Sequence, residues 1–174
     1  MKPSIDCQAF QAASQPSNGS AAKTTLVIDT NIVLDLFVFA DVAAKPLRAA
    51  IEAGVIDWLA TLPMRVELAR VLGYPQIVPR LAFYGLSADD IMGAFDKHAR
   101  LVVVAPKAAP TCRDADDQCF IDLAVAHRVP LLSKDRAVLT LRKRLAELGV
   151  SMAYYPAENA SKHHGSSSKS DPFP

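Results

Sequence analysis

A chain of 174 residues, 51% apolar and 21% charged, is about one domain's worth of polypeptide and holds enough apolar residues to close a core. No apolar run reaches the roughly 18 residues that span a bilayer, and the N-terminus lacks the basic start and apolar stretch of a secretory signal. The net charge is +1 and residues 25–156 are formally neutral, which argues against a protein that coats nucleic acid by bulk charge. Cys7, Cys112 and Cys119 are odd in number and show no paired zinc spacing, so they read as reduced thiols in a cytoplasmic protein.

Residues 1–24 hold Ser14-Gln15-Pro16-Ser17-Asn18-Gly19-Ser20 and no sustained period, and read as a disordered arm. Leu26-Val27-Ile28 suits a buried strand. Ile32 to Phe39 is apolar throughout and ambiguous between helix and strand. Lys45 to Ala53 predicts a helix that Gly54 ends. Asp57 to Ala60 is a weak second strand, and Pro63 opens a helix that continues over Met64 to Leu72. Ser87-Ala88-Asp89-Asp90 resembles a capping box for a helix running to about Ala99. Leu101 to Val104 is the clearest strand. A helix from about Asp116 to His127 leads to strand Leu131-Leu132-Ser133. The last helix, Arg136 to Leu148, should bury Val138, Leu141, Leu145 and Leu148, with Gly149 stopping it and Val150 to Tyr154 forming a final strand. Residues 157–174 are polar, Ser-rich and read as a disordered tail, in which His163 and His164 are an adventitious pair.

Strands that alternate with helices and are nearly continuously apolar predict an α/β domain over residues 25–156: a three-layer α/β/α fold around a central, mostly parallel sheet. Ligands in such sheets bind beyond the carboxyl ends of the strands. Asp29 follows the first strand and Asp135 the fourth, while Asp114, Asp116 and Asp117 crowd the start of the helix between them. Glu67 lies on the helix after the second strand. Each has a plain structural explanation, since Asp29 and Asp135 suit helix N-caps and one of the three clustered aspartates should cap its helix. Three aspartates in four positions exceed what capping needs, and they repel. Oxygen ligands with no nearby Cys or His pattern suit a hard cation, Mg²⁺ or Mn²⁺, and such ions serve phosphate chemistry.

These residues resemble the motifs of the PIN-domain family, especially the toxin components of bacterial toxin–antitoxin pairs. Asp29-Thr30-Asn31 matches the opening motif, and Glu67 within Val66-Glu67-Leu68 matches the second acidic position. Cys112 to Ala124 matches the third motif with Asp117 at the metal-binding place, and Ser133-Lys134-Asp135 stands for the closing Thr-any-Asp. The resemblance implies that Asp29, Glu67, Asp117 and Asp135 hold one or two divalent ions. It gives Asn31 and Ser133 an orienting role through their side chains, with Asp114 joining the pocket from outside. The activity it implies is endonucleolytic cleavage of RNA. Arg113, Lys134 and Arg136 flank the acids as candidate phosphate-binding residues, and Arg142, Lys143 and Arg144 read as a solvated face of the last helix. A cognate antitoxin and a homodimer are the implied partners. Two other classes fit less well. A phosphatase with Asp29 as nucleophile would want a carboxylate at position 31, where Asn31 stands. A silent RNA- or protein-binding domain has no need of all four acids.

Overall fold

A computed structural model describes residues 23–153; the tail over 157–174 and all of the N-terminal arm except Lys23 and Thr24 lie outside the described residues, as do His163, His164 and Cys7. Thr24 already belongs to the first strand, β1 (Thr24–Ile28). The chain continues through α1 (Thr30–Phe37), a 3-10 turn (Val42–Ala44), α2 (Lys45–Glu52), β2 (Ile56–Ala60), α3 (Leu62–Leu72), α4 (Val78–Phe83), α5 (Ala88–His98) and β3 (Ala99–Leu101). It ends with α6 (Gln118–His127), β4 (Leu131–Leu132), α7 (Arg136–Leu139), α8 (Arg142–Glu147) and β5 (Met152–Ala153). The five strands pair in the order β3-β2-β1-β4-β5, and every pair is parallel.

β1 lies at the centre, and its residues explain why. Leu26, Val27 and Ile28 are all buried, so the strand is covered on both faces. Order 3-2-1 on one side and 4-5 on the other means the chain reverses its winding at β1, which lays helices on both faces. α6 presents the buried residues Phe120, Ile121, Leu123 and Ala124 to the core and contacts both β1 and β4. The ambiguous Ile32–Phe39 stretch resolves as helix α1, because Asp29 caps it and its apolar residues bury against the sheet side. Ser87 and Asp90 form the expected box at α5: the Asp90 amide donates to Ser87 Oγ (3.1 Å) and the Ser87 amide to Asp90 Oδ2 (2.7 Å).

Three expectations need correction. The strand read over Leu101–Val104 covers only Ala99–Leu101. Its partner β2 ends at Ala60, where the chain turns into α3 behind Pro63, so after Val102 donates to the Ala60 carbonyl (2.8 Å) no ladder remains. Val103 consequently stands 88% exposed. The single last helix is two short ones. Leu141 N–H bonds Val138 O in a tightened turn, and the Thr140 hydroxyl donates to Ala137 O (2.7 Å), so the α ladder breaks there. Val138, Leu141 and Leu145 are buried as expected, but Leu148, at the end beside Gly149, is exposed. Finally, none of the three clustered aspartates caps α6 with its side chain; Asp117 occupies the cap position without making that bond, and Asp114 accepts from the Asp116 amide instead. α4, opened by Pro79, had no signal in the periodicity.

The core and the exposed apolar segment should answer oppositely to truncation. Leu123→Ala, at a fully buried position, is expected to cost about 2–5 kcal/mol, whereas Val103→Ser should stay within about 0.5 kcal/mol of the parent. Denaturant unfolding of the two variants checks this. A Val103 variant as damaged as the Leu123 one would restore the longer strand.

Candidate active site

The register of β1 on β4, Val27 opposite Leu131 and Ile28 opposite Leu132, brings Asp29 level with Ser133 just beyond the strands' carboxyl ends. The Asp29 amide extends the ladder by donating to Leu132 O (2.9 Å). This is the point where the sheet reverses its order, and the crevice there is the usual ligand position of such folds. Asp29 is 1% exposed and Ser133 is fully buried. The Ser133 hydroxyl donates to Asp29 Oδ2 (2.6 Å) and accepts from the Asp135 amide (3.1 Å). Asp29 Oδ1 accepts from the Asn31 amide (3.3 Å), and Asp135 Oδ1 from the Ala137 amide (2.6 Å). Both aspartates therefore cap helices as well as face the crevice. Asn31 reaches Asp29 through its backbone, where the resemblance implied its side chain.

Burial sets the charge state of this group. It raises the pKa of Asp29; the Ser133 hydroxyl and the Asn31 amide oppose that rise, and the charge of Asp135 adds to it. Asp117 is pushed up to about 7, first by burial and then by the charges of Asp29, Asp135, Asp114 and Asp116. Asp29, Asp117 and Asp135 are thus electrostatic neighbours, with Asp114 at their margin on the surface. Asp117 Oδ2 is buried with no hydrogen-bond partner.

Glu67 stands apart. It is half-buried on α3, and its carboxylate is bound by Arg70 (2.6 Å), which also reaches Asp116 (3.3 Å). The flanking cations divide in the same way. Arg113 and Arg136 are exposed, whereas Lys134 Nζ is held by both oxygens of Asp35 (2.6 and 2.7 Å). Arg142, Lys143 and Arg144 are exposed on α8, the solvated face expected of them.

The donor set suits a hard divalent cation. It is all oxygen, it is mutually repulsive, and it includes a buried carboxylate oxygen that nothing in the protein satisfies. Among the described residues, no three His, Cys, Asp or Glu side chains already surround one point as a cage. That is compatible with Mg²⁺, which takes one or two carboxylates and keeps several waters.

Two features escaped the sequence reading. Gln118 and Asp122, one turn apart on α6, bind each other (2.6 Å) and pin the preceding loop: Gln118 Oε1 accepts from the Cys112 amide (2.7 Å), Gln118 Nε2 donates to Pro110 O (3.1 Å), and Asp122 Oδ1 accepts from the Ala108 amide (2.8 Å). This latch fixes the first turn of α6 beside Asp117. Its signal was a polar i, i+4 pair on an otherwise apolar helix. The other is Arg70, whose i, i+3 spacing from Glu67 was visible but whose reach to Asp116 was not.

A family model for the PIN domain matches residues 25–137. The chain belongs to the PIN-domain family. PIN domains are generally nucleases. No curated protein matches this PIN domain in sequence. Its fold is similar to that in the crystal structure of VapBC2 from Rickettsia felis bound to a DNA fragment from their promoter, with 9% identity, a TM-score of 0.53, and coverage of 76% of this chain and 100% of that chain. At that identity the likeness is one of fold. No described helix is long and apolar enough to cross a membrane.

The raised Asp117 pKa has a definite sign in stability. Its native state favours the protonated form, so this group's stabilisation is complete below the ordinary value of 3.8 and is lost as pH rises through about 7. In EDTA, the thermal midpoint of Asp117→Asn should therefore gain on that of the parent between about pH 4.5 and 7.5. His98, whose pKa burial lowers, acts in the opposite direction but cancels in the comparison. A difference between the two midpoints that stays flat, or shrinks, over that window would contradict the crowding at Asp117.

Proposed function

We propose that this PIN domain is a metal-dependent endoribonuclease in which Asp29, Asp117 and Asp135, joined by Glu67, hold Mg²⁺ or Mn²⁺. The observation that carries the reading is the unsatisfied, buried oxygen of Asp117 in a group of like charges with Asp29 and Asp135. A helix cap needs no such oxygen, and a domain that only binds would be more stable without it. When bound, a divalent cation supplies activation of water and neutralises charge that builds on a phosphodiester.

The residues of the chain divide the remaining tasks. The Ser133 hydroxyl takes one lone pair of Asp29 and fixes the direction of its carboxylate, while the same oxygen anchors the turn that carries Asp135. Asp117, at the start of α6, is aimed by the Gln118–Asp122 latch. Asp114 adds negative charge at the rim. Arg113 and Arg136 are free to take the phosphate backbone, with Lys134 secondary because Asp35 holds it. Unpaired RNA is the substrate we assign, because single strands expose both backbone and bases. A phosphatase using Asp29 as nucleophile is disfavoured because Asn31 stands where its second carboxylate would be needed.

The motif order resembles that of PIN toxins, which supports a cognate antitoxin as protein partner, a cytoplasmic location and pairing into a homodimer. The fold shared with VapBC2 supports the first of these, the antitoxin partner.

Asp29→Asn separates chemistry from folding. Asparagine keeps the cap to the Asn31 amide, but its NH2 cannot accept from the Ser133 hydroxyl. Loss of a buried charge from a repulsive group offsets that bond, so the thermal midpoint in EDTA should stay near the parent value. Cleavage of single-stranded RNA in Mg²⁺ should fall by at least about a hundredfold, with each tenfold loss equal to about 1.4 kcal/mol of barrier. Parent activity should vanish in EDTA and return with Mg²⁺ or Mn²⁺. Near-parental cleavage by the Asn variant, or activity that survives chelation, would overturn the proposal.

A further inference from the structure

Beside the crevice, α3 and the loop before α6 enclose an open groove lined by Leu62, Pro63, Val66, Glu67, Arg70 and Asp116. Its floor is unusual for a surface in that Leu62 and Val66 are apolar and well exposed, 59% and 58%. The single cation in it, Arg70, is bound to two carboxylates at once, Glu67 at 2.6 Å and Asp116 at 3.3 Å, and its guanidinium also lies 6.0 Å from the Tyr74 ring centroid. Glu67 is the acid on α3 that the family motif places among the metal ligands, and Asp116 precedes Asp117 directly. One side chain therefore ties the helix that carries Glu67 to the loop that carries Asp117.

We propose that Arg70 is a phosphate-binding residue held in reserve. With the groove empty it neutralises Glu67 and Asp116; when the backbone of a nucleic acid enters, it moves to a phosphate and leaves Glu67 free for the metal. This rests on the nuclease reading and adds to it a positioning residue that couples substrate to metal. The exchange is cheapest at Asp116, because the Arg70 side chain is 54% exposed and that of Asp116 71%, and exposed ion pairs are worth little; it costs more at Glu67, whose side chain is 24% exposed. It is also favoured in direction. A guanidinium fork matches a phosphate as well as it does a carboxylate, and a phosphodiester presents its two oxygens without the burial that limits Glu67. The exposed Leu62 and Val66 offer an apolar floor to the bases attached to that backbone. Reciprocity follows: whatever helps RNA take Arg70 helps the metal take Glu67.

The test measures two bindings, neither of which needs catalysis. Mn²⁺ affinity is titrated on the protein alone, and affinity for a short labelled single-stranded RNA is measured in EDTA by fluorescence anisotropy. Both are done on the full chain, on Arg70→Gln and on Arg65→Gln. Arg65 lies on the same helix and pairs with Asp96 (2.6 Å), so it controls for the loss of one positive charge. Arg70→Gln should bind Mn²⁺ about fivefold more tightly and RNA about fivefold more weakly, the scale of one exposed ion pair, with Arg65→Gln near the parent in both. A merely structural Arg70 would weaken both bindings or neither. Unchanged or weaker Mn²⁺ binding by Arg70→Gln, with the parent binding normally, would overturn the role of Arg70 and leave the metal centre standing. A parent that binds no Mn²⁺ would overturn the metal centre itself, and the reserve role with it.

Discussion

One hydrogen bond joins the two halves of this molecule where its chemistry is concentrated. The Ser133 hydroxyl donates to Asp29 Oδ2 at 2.6 Å across the junction of β1 and β4, both residues being buried. A buried carboxylate without such a donor would be costly, and a buried hydroxyl without such an acceptor nearly as much. The parallel register supplies both. Because Ser133 also accepts from the Asp135 amide, the bond that steadies Asp29 fixes the turn that presents Asp135. The hydroxyl is what the position requires; its extra methyl in threonine is optional.

Around that bond the fold accumulates like charge. Asp29 is raised by burial and by the charge of Asp135, and Asp117 by burial and by the charges of Asp29, Asp135, Asp114 and Asp116. The structure relieves part of this through the helix caps that Asp29 and Asp135 make and through Arg70, which reaches Asp116. It leaves one oxygen of Asp117 unsatisfied. Crowding of this kind at a sheet's switch point is what the proposed cation would relieve. The Gln118–Asp122 latch holds the loop in place against the repulsion.

Much of this was legible in the residues. Leu26-Val27-Ile28 followed by Asp29, and Leu131-Leu132-Ser133 followed by Asp135, placed two acids at strand ends because a parallel sheet aligns all its carboxyl ends on one edge. The Ser87–Asp90 box announced α5 through short-range chemistry alone. What failed to show was whatever depends on a neighbour. The Leu101–Val104 run has full strand propensity but loses its partner at Ala60, which only the turn into α3 decides. The break at Thr140 depends on a side chain bonding its own backbone. Glu67 stood in the motif with Arg70 at i, i+3 spacing, yet the bridge from Arg70 to Asp116, 46 residues farther on, exists only in three dimensions.

The central claim is that the acids at the switch point between β1 and β4 form a cation site. Its most direct measurement is a crystal of this PIN domain grown with Mn²⁺, with the ion located by its anomalous scattering. The account predicts a peak in contact with Asp117 Oδ2 and with Asp29 or Asp135, and the remaining ligands as water. A peak elsewhere on the chain, or none at these aspartates when the protein is saturated with Mn²⁺, would contradict it.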